Sequence, residues 1–391
     1  MKLKQLPEDF QVVELTDVHQ TPSGAFALYQ LTKRHLGTPE AIEAICKAIR
    51  IDPRRVSFGG LKDTHALTIQ HLTIEQGPRR NWRGPSFELK YLYQTAEAFN
   101  SRHVTGNRFV IVQRDITTEA VEECSRNLHE VQTSGLANYF DDQRFGSVTA
   151  DRQFVARLLV DGEYEGALRL ALCADYPFDN IVEKQVKQRL NDHWTHWPKL
   201  LSELPIGLTK RVVQYLATHP SDYRGALRTL PHQMLTLYLA AYQSHLWNQM
   251  LAHWFDRKFP PSRLIRIKTK LAQLPMPATL SDTERDEFFA SELPLPSARL
   301  KLPADSPWTE DVNWVMAQEG ISLAKIQLKH WRELFFSKGG RAVWFKPRDL
   351  KWEVNPGSRL GLKNLQVFCV LPRGSYATLL MKRIAVTAQK P

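Results

Sequence analysis

Gly59-Gly60-Leu61-Lys62-Asp63-Thr64-His65-Ala66 lies between two apolar, strand-like runs, Arg55-Val56-Ser57-Phe58 before it and Leu67 to Ile74 after it. Two glycines between such runs predict a tight backbone path, with a positive φ open to either one. A loop of this kind holds a side chain at a sheet edge, where a substrate can reach it. Its one carboxylate is Asp63, directly preceded by the cation Lys62. An Asp in a glycine-containing turn ordinarily caps a helix or closes the turn. Composition alone therefore makes Asp63 a candidate and no more.

Upstream, Asp9 to Glu14 alternates polar and apolar residues, as in a strand exposed on one face. A turn at Thr21-Pro22-Ser23-Gly24 and a second apolar run, Ala25 to Thr32, predict an opening hairpin. Thr38-Pro39 predicts a helix start with Thr38 as N-cap, and Ile42, Ile45 and Ile49 form its apolar face. Downstream, Phe109 to Val112 reads as a strand and Thr118 to Thr133 as a helix ended by Gly135. The loop from Gln76 to Pro85 carries three arginines around Trp82, a composition equally suited to nucleic acid and to solvent. In Ala137 to Gly146, three aromatics mixed with Asn138, Gln143 and Arg144 suit a surface that stacks on and hydrogen-bonds a flat ligand.

From about residue 150 helical patterns dominate, the longest running from Met234 to Phe255. Residues 256 to 310 read as Pro-rich loops, and Leu323 to Phe336 as a further helix. Strand character returns at Ala342 to Phe345, Leu365 to Leu371 and Tyr376 to Ile384. The expected fold is α+β. A catalytic domain built from residues 1–150 and 340–391 is split by an inserted, mainly helical domain at residues 151–339.

The chain has 391 residues, a net charge of +11 and 43% hydrophobic residues. Those figures describe an ordinary globular protein whose basic surface attracts polyanions, nucleic acid first among them. No apolar run reaches the roughly 18 residues a membrane span requires. The N-terminus lacks a signal-peptide core, so the protein is expected to remain in the cytoplasm. Four cysteines without CxxC spacing predict buried thiols rather than a disulfide framework or zinc site. Thirteen histidines without HxxxH or HxH pairs give no metal centre.

Five stretches, in order, carry a family resemblance. They are Lys4-x-x-Pro7-Glu8-Asp9-Phe10-x-Val12-x-Glu14, Gly60-Leu61-Lys62-Asp63-x-x-Ala66-x-Thr68-x-Gln70, Gly106-Asn107-Arg108-Phe109, Asn138-Tyr139-Phe140-x-x-Gln143-Arg144-Phe145-Gly146 and Leu371-Pro372-x-Gly374-Ser375-Tyr376-Ala377-Thr378. The chain resembles the TruD family of tRNA pseudouridine synthases. Ala241-Tyr242-Gln243-Ser244-x-Leu246-Trp247-Asn248 is similar to a further segment found in some members. The turn at Gly24 departs from the family's Gly-x-Gly-x-His, and residues 150–340 match only loosely.

The resemblance implies a mixed, largely antiparallel sheet of the pseudouridine synthase type. It implies isomerisation of uridine to pseudouridine in tRNA, usually at position 13, with tRNA as partner and no cofactor. The absence of a phosphate-loop or dinucleotide fingerprint agrees with a reaction that needs neither redox chemistry nor energy input. By the same resemblance Asp63 is the catalytic carboxylate. It either attacks C1′ or takes a proton from C2′, and both routes stay open. A flipped-out uracil needs aromatic faces and polar partners. Phe140 and Tyr376 are implied as flanking rings, Phe10 as a further wall, and Asn138 as partner for the base edge. Core packing is the ordinary alternative for these groups. Lys4 and Glu14 match the family's charged pair near the site, Lys62 either favours the anionic Asp63 or pairs elsewhere, and Gln143 and Arg144 suit phosphate or loop-positioning contacts. Three other readings stand beside this one: a synthase of another RNA target, a non-catalytic RNA-binding protein, and a protein-interaction scaffold built on the insertion.

Overall fold

Buried on both faces, the run from Gln70 to Ile74 makes a central strand, and the first sheet is ordered around it. The computed structural model describes residues 5–64, 66–176, 179–329, 331 and 333–386. It divides into two compact units, Met1–Leu136 with Phe345–Pro391, and Ala137–Trp344. The boundaries read from composition, at 150 and 339, both fall inside the second unit. Residues 137–146 belong there because their backbone and side chains bond to it: the Tyr139 hydroxyl donates to Pro275 O at 2.6 Å.

The first unit contains β1 (Phe10–Thr16), β2 (Phe26–Arg34), α1 (Thr38–Ile49), β3 (Val56–Phe58), β4 (Leu67–Glu75), β5 (Trp82–Arg83), β6 (Phe87–Thr95), β7 (Val104–Ile116) and α2 (Thr118–Ser134). After the second unit come the strands Arg348–Pro356 and Lys363–Pro372 and the helix Ala377–Ile384. One nine-stranded sheet runs Arg348–Pro356, Lys363–Pro372, β7, β1, β4, β2, β6, β5, with β3 beside β4. β1 and β4 are parallel, and the other described pairings are antiparallel. The fold is thus α+β with a mixed, largely antiparallel sheet.

The expected opening hairpin does not form. β4 lies between β1 and β2, pairing parallel with one and antiparallel with the other. Its unbroken buried run must be covered on both edges, whereas the turn at Gly24 leaves β2 free to cross. α1 packs Ala41 and Ile45 against Tyr29, Leu31, Leu72 and Ile74. α2 buries Val121, Cys124, Leu128 and Val131, the stripe expected of it, and Gly135 ends it at φ +79°. The last segment is a helix, not a strand. Ala377, Leu380, Met381 and Ile384 are buried at spacings of three, one and three, which trace one helical face.

The second unit is mainly helical, around His232–Lys258. That helix buries residues on most of its circumference, as befits a core helix. The segment 256–310 contains more than loops: a ribbon of Leu264–Lys268 with Gln273–Pro277, and a helix, Asp282–Ala290, with a Ser281–Glu284 capping box. The helix expected over Leu323 to Phe336 does not form among the described residues of that range, where one short turn stands at Leu323–Lys325. Buried Ile326, Leu328, Trp331, Leu334 and Phe336 follow no single helical face.

Gly106 sits where β7 is flanked on both sides, opposite Leu15 and Pro372. A Cβ there would lie 2.7 Å from Leu371 O. Gly106→Ala is therefore expected to destabilise the fold by about 1–3 kcal/mol, read as a lowered urea midpoint with unchanged slope.

Candidate active site

The loop between β3 and β4 is closed by their antiparallel pairing, Val56 with Ile74 and Phe58 with Leu72. Neither Gly59 nor Gly60 uses the positive φ open to it. Gly59 answers a close approach instead, since a Cβ would come within 2.6 Å of Val104 Cγ2. Asp63 and Lys62 are half-buried.

The backbone at Asp63 is held from below by Lys33, a residue the motif reading passed over. Its side chain is only 1% exposed. Its Nζ donates to Leu36 O at 2.7 Å, Asp63 O at 2.9 Å and Lys62 O at 3.3 Å. Burial lowers its pKa to about 8, while the carboxylates of Asp63 and Glu40 pull upward. Lys33 thus ties the loop at two carbonyls to a third at Leu36, and is a cation that interacts with Asp63. Thr38 adds a second tie. Its hydroxyl accepts from the Lys62 backbone N–H at 3.0 Å and donates to Gln70 Oε1 at 2.9 Å. It is therefore not the N-cap that was expected. Gly37 holds that position, with no side-chain cap.

Lys62 turns to a different carboxylate from Asp63. Its Nζ lies 2.7 Å from Glu14 Oε2 and donates to Asn107 Oδ1 at 3.1 Å. Glu14 Oε1 also accepts from the His71 backbone N–H at 2.8 Å. Burial pushes the Glu14 carboxyl upward, but the His71 hydrogen bonds and the Lys62 charge outweigh it and hold the pKa below the usual range. The partner of Glu14 here is Lys62, and Lys4 lies outside the described residues.

Glu14, Asn107 and Leu371 form one row across three strands, because Glu14 pairs with Asn107 and Asn107 with Leu371. Four of the five sequence stretches therefore meet through a row of the sheet and the Lys62 side chain. From Pro372 the chain turns through Gly374, at φ +83°, into half-buried Tyr376 at the start of the last helix. Phe10 is buried at the head of β1, with its ring edge-on to Phe109 at 5.9 Å.

The fifth stretch, with Asn138, Phe140, Gln143 and Arg144, belongs to the second unit. Asn248 brackets Phe140: it accepts from the Phe140 N–H at 2.9 Å and donates to Phe140 O at 2.8 Å. Trp247 meets the Phe140 ring edge-on at 5.4 Å. Arg341 donates to Asn138 O and Oδ1, both at 2.7 Å, and its guanidinium lies 4.1 Å from the Phe140 ring centre. The Asn138 amide donates in turn to Ala342 O at 3.0 Å. Arg144 stands 5.4 Å from the same ring centre, and Gln143 is exposed on the short helical turn Asp142–Phe145. Arg341 was not legible as part of this group, since about two hundred residues of sequence separate it from Phe140. Asn248 was visible only as part of the Ala241–Asn248 segment. No group of three His, Cys, Asp or Glu side chains that could hold a metal occurs among the described residues.

A sequence model described as "tRNA pseudouridine synthase D (TruD)" matches residues 1–384. Among curated relatives, "tRNA pseudouridine synthase D" of Aquifex aeolicus is 28% identical over 98% of both chains. "Probable tRNA pseudouridine synthase D" of Methanococcoides burtonii is 29% identical over 97% of this chain and 92% of its own. Among solved structures, the crystal structure of the putative tRNA pseudouridine synthase D from Methanosarcina mazei matches with a TM-score of 0.70 at 25% identity. That match covers 98% of this chain and 93% of the other.

Two substitutions test the geometry. Lys33→Met frees the Lys62 and Asp63 carbonyls of the loop, and if Asp63 is the reacting group, a displacement of about 1 Å costs on the order of 100-fold in rate. Single-turnover kinetics on RNA should show that loss with the dissociation constant nearly unchanged. Lys62→Met leaves Glu14 buried without its cation, at a cost of about 3 kcal/mol at neutral pH. Because the Glu14 pKa is lowered in the native protein, its stabilisation is present above the unfolded value and lost on acidification. The gap between variant and native protein should therefore shrink as pH falls towards about 4, as urea titrations across pH would show.

Proposed function

The chain belongs to the TruD family of tRNA pseudouridine synthases, and from that premise we propose that it isomerises uridine to pseudouridine in tRNA. The observation that carries the reading is the Asp63 loop. A half-buried carboxylate sits on a backbone tied by Lys33 and Thr38, beside the row of Glu14 and Asn107. A reacting side chain needs such fixed placement. The target we infer is uridine 13, the position the family resemblance implies.

In the proposed reaction the N1–C1′ bond breaks, the uracil turns, and a C5–C1′ bond forms. The hydrogen at C5 leaves and N1 gains a proton, so the product is an isomer. Asp63 supplies the carboxylate, as nucleophile at C1′ or as base at C2′. Phe140 and Tyr376 are the rings we assign to the extruded base, with Asn138 for its edge and Phe10 as a further wall. Support for Phe140 is that its backbone is bracketed by Asn248 and its ring faced by Arg341. Gln143 and Arg144, on the adjoining turn, are assigned to phosphate contacts. Glu14 and Lys62 are assigned to holding the loop.

Asp63→Asn is nearly isosteric and removes only the negative charge. Tritium release from 5-tritiated uridine in tRNA should fall below detection, while tRNA affinity stays within about threefold, since phosphate contacts carry most of the binding. Full turnover by the Asn variant would show that Asp63 is misassigned. Mass-spectrometric mapping of the product tests position 13.

A further inference from the structure

We propose that two adjoining cavities in the second unit bind the phosphodiester backbone of the substrate RNA. The inference rests on the tRNA reading above. One cavity, of about 450 Å³, is lined by Arg299, Lys301 and Lys338 together with Gly339, Gly340 and Glu292. The other, of about 320 Å³, shares Ser297 and Arg299 with it and adds Lys329 and Phe335. All four cations are exposed, and none forms an ion pair among the described residues. Some exposed arginines and lysines of this unit are ion-paired, as Arg257 is to Glu310 and Asp311, Lys258 to Glu287, Arg263 to Glu284 and Arg266 to Asp256. The two cavities set four cations against one carboxylate, Glu292.

Two features favour a polymeric anion over a small one. The cations are spread along two cavities that share a wall, which fits a ligand with a charge on each repeat unit. Phe335, 61% exposed, lies on the wall of the second cavity and offers a ring for an unpaired base. The position also connects with the proposed base site. Gly340 begins the strand Gly340–Ala342, paired with Glu292–Pro294, and the next residue, Arg341, holds Asn138 and faces Phe140. An RNA strand crossing these cavities would therefore follow the same strand that supports Phe140.

The test is the salt dependence of tRNA binding by the full chain carrying Arg299→Gln, Lys301→Gln and Lys338→Gln. A matched control, Lys184→Gln, Lys199→Gln and Arg211→Gln, removes the same charge from exposed positions of the same unit. Each lost phosphate contact lowers the slope of log K on log salt by roughly 0.7–0.9. The cavity variant should lose about 2–3 from the slope and bind on the order of tenfold more weakly near 0.1 M salt. The control should lose less than about one. Circular dichroism spectra matching the native protein exclude misfolding as the cause. An unchanged slope in the cavity variant overturns the proposal, and so does an equal loss in both variants, which would assign the effect to net charge. Inorganic phosphate raising the melting temperature of the native protein but not of the cavity variant, with the slope intact, would assign the cavities to a small anion and overturn it too. Pseudouridine formation by the native protein, assayed separately, distinguishes failure of this site from failure of the enzymatic reading.

Discussion

A buried ammonium holds the loop on which the proposed chemistry depends. Lys33 reaches from β2 to three carbonyls, two of them at Lys62 and Asp63. Burying a charge is costly unless hydrogen bonds and opposite charge compensate it. The lowering of the Lys33 pKa to about 8 registers that cost. What the cost secures is geometric. Lys62 and Asp63 are adjacent in the chain, and a tie on both carbonyls fixes the peptide between them. The Lys62 side chain then goes to Glu14 and Asn107.

The second unit uses the same device with different groups. Asn248 spends both ends of its amide on the Phe140 backbone, and Arg341 spends its planar fork on Asn138 while lying over the Phe140 ring. A ring bracketed in this way loses little further entropy when a flat ligand stacks on it. Trp247, from the same helix as Asn248, closes the ring edge and donates to Leu293 O at 3.0 Å. The helix His232–Lys258 is thus both the core of its unit and the support of Phe140, which accounts for buried Asn248, while buried Gln243 on the same helix bonds Pro296 O and the Ser337 backbone.

Much of this was legible in the chain. α2 could be read with its cap and inward stripe, because local periodicity and Gly135 are sufficient signals. The strand–loop–strand around Asp63 was readable for the same reason. Three of the misreadings share one cause, which is non-local competition. Thr38 has the sequence context of an N-cap, yet its hydroxyl is taken by Lys62 and Gln70. β1 and β2 look like hairpin partners, yet β4 separates them. The segment Leu323 to Phe336 is apolar enough for a helix, but its inward residues are set by the surrounding surface rather than by a 3.6-residue repeat.

By itself the sequence determined the α+β class, the basic charge, the family motifs and Asp63 as the candidate carboxylate, since each is written in residue types within a few positions of one another. Only the tertiary structure decided which cation serves which acid. Lys62 stands beside Asp63 in the chain and pairs with Glu14, while Lys33, thirty positions away, supports Asp63. Strand order and register bring those groups within 3 Å, and pairing over such separations leaves no local trace in the chain.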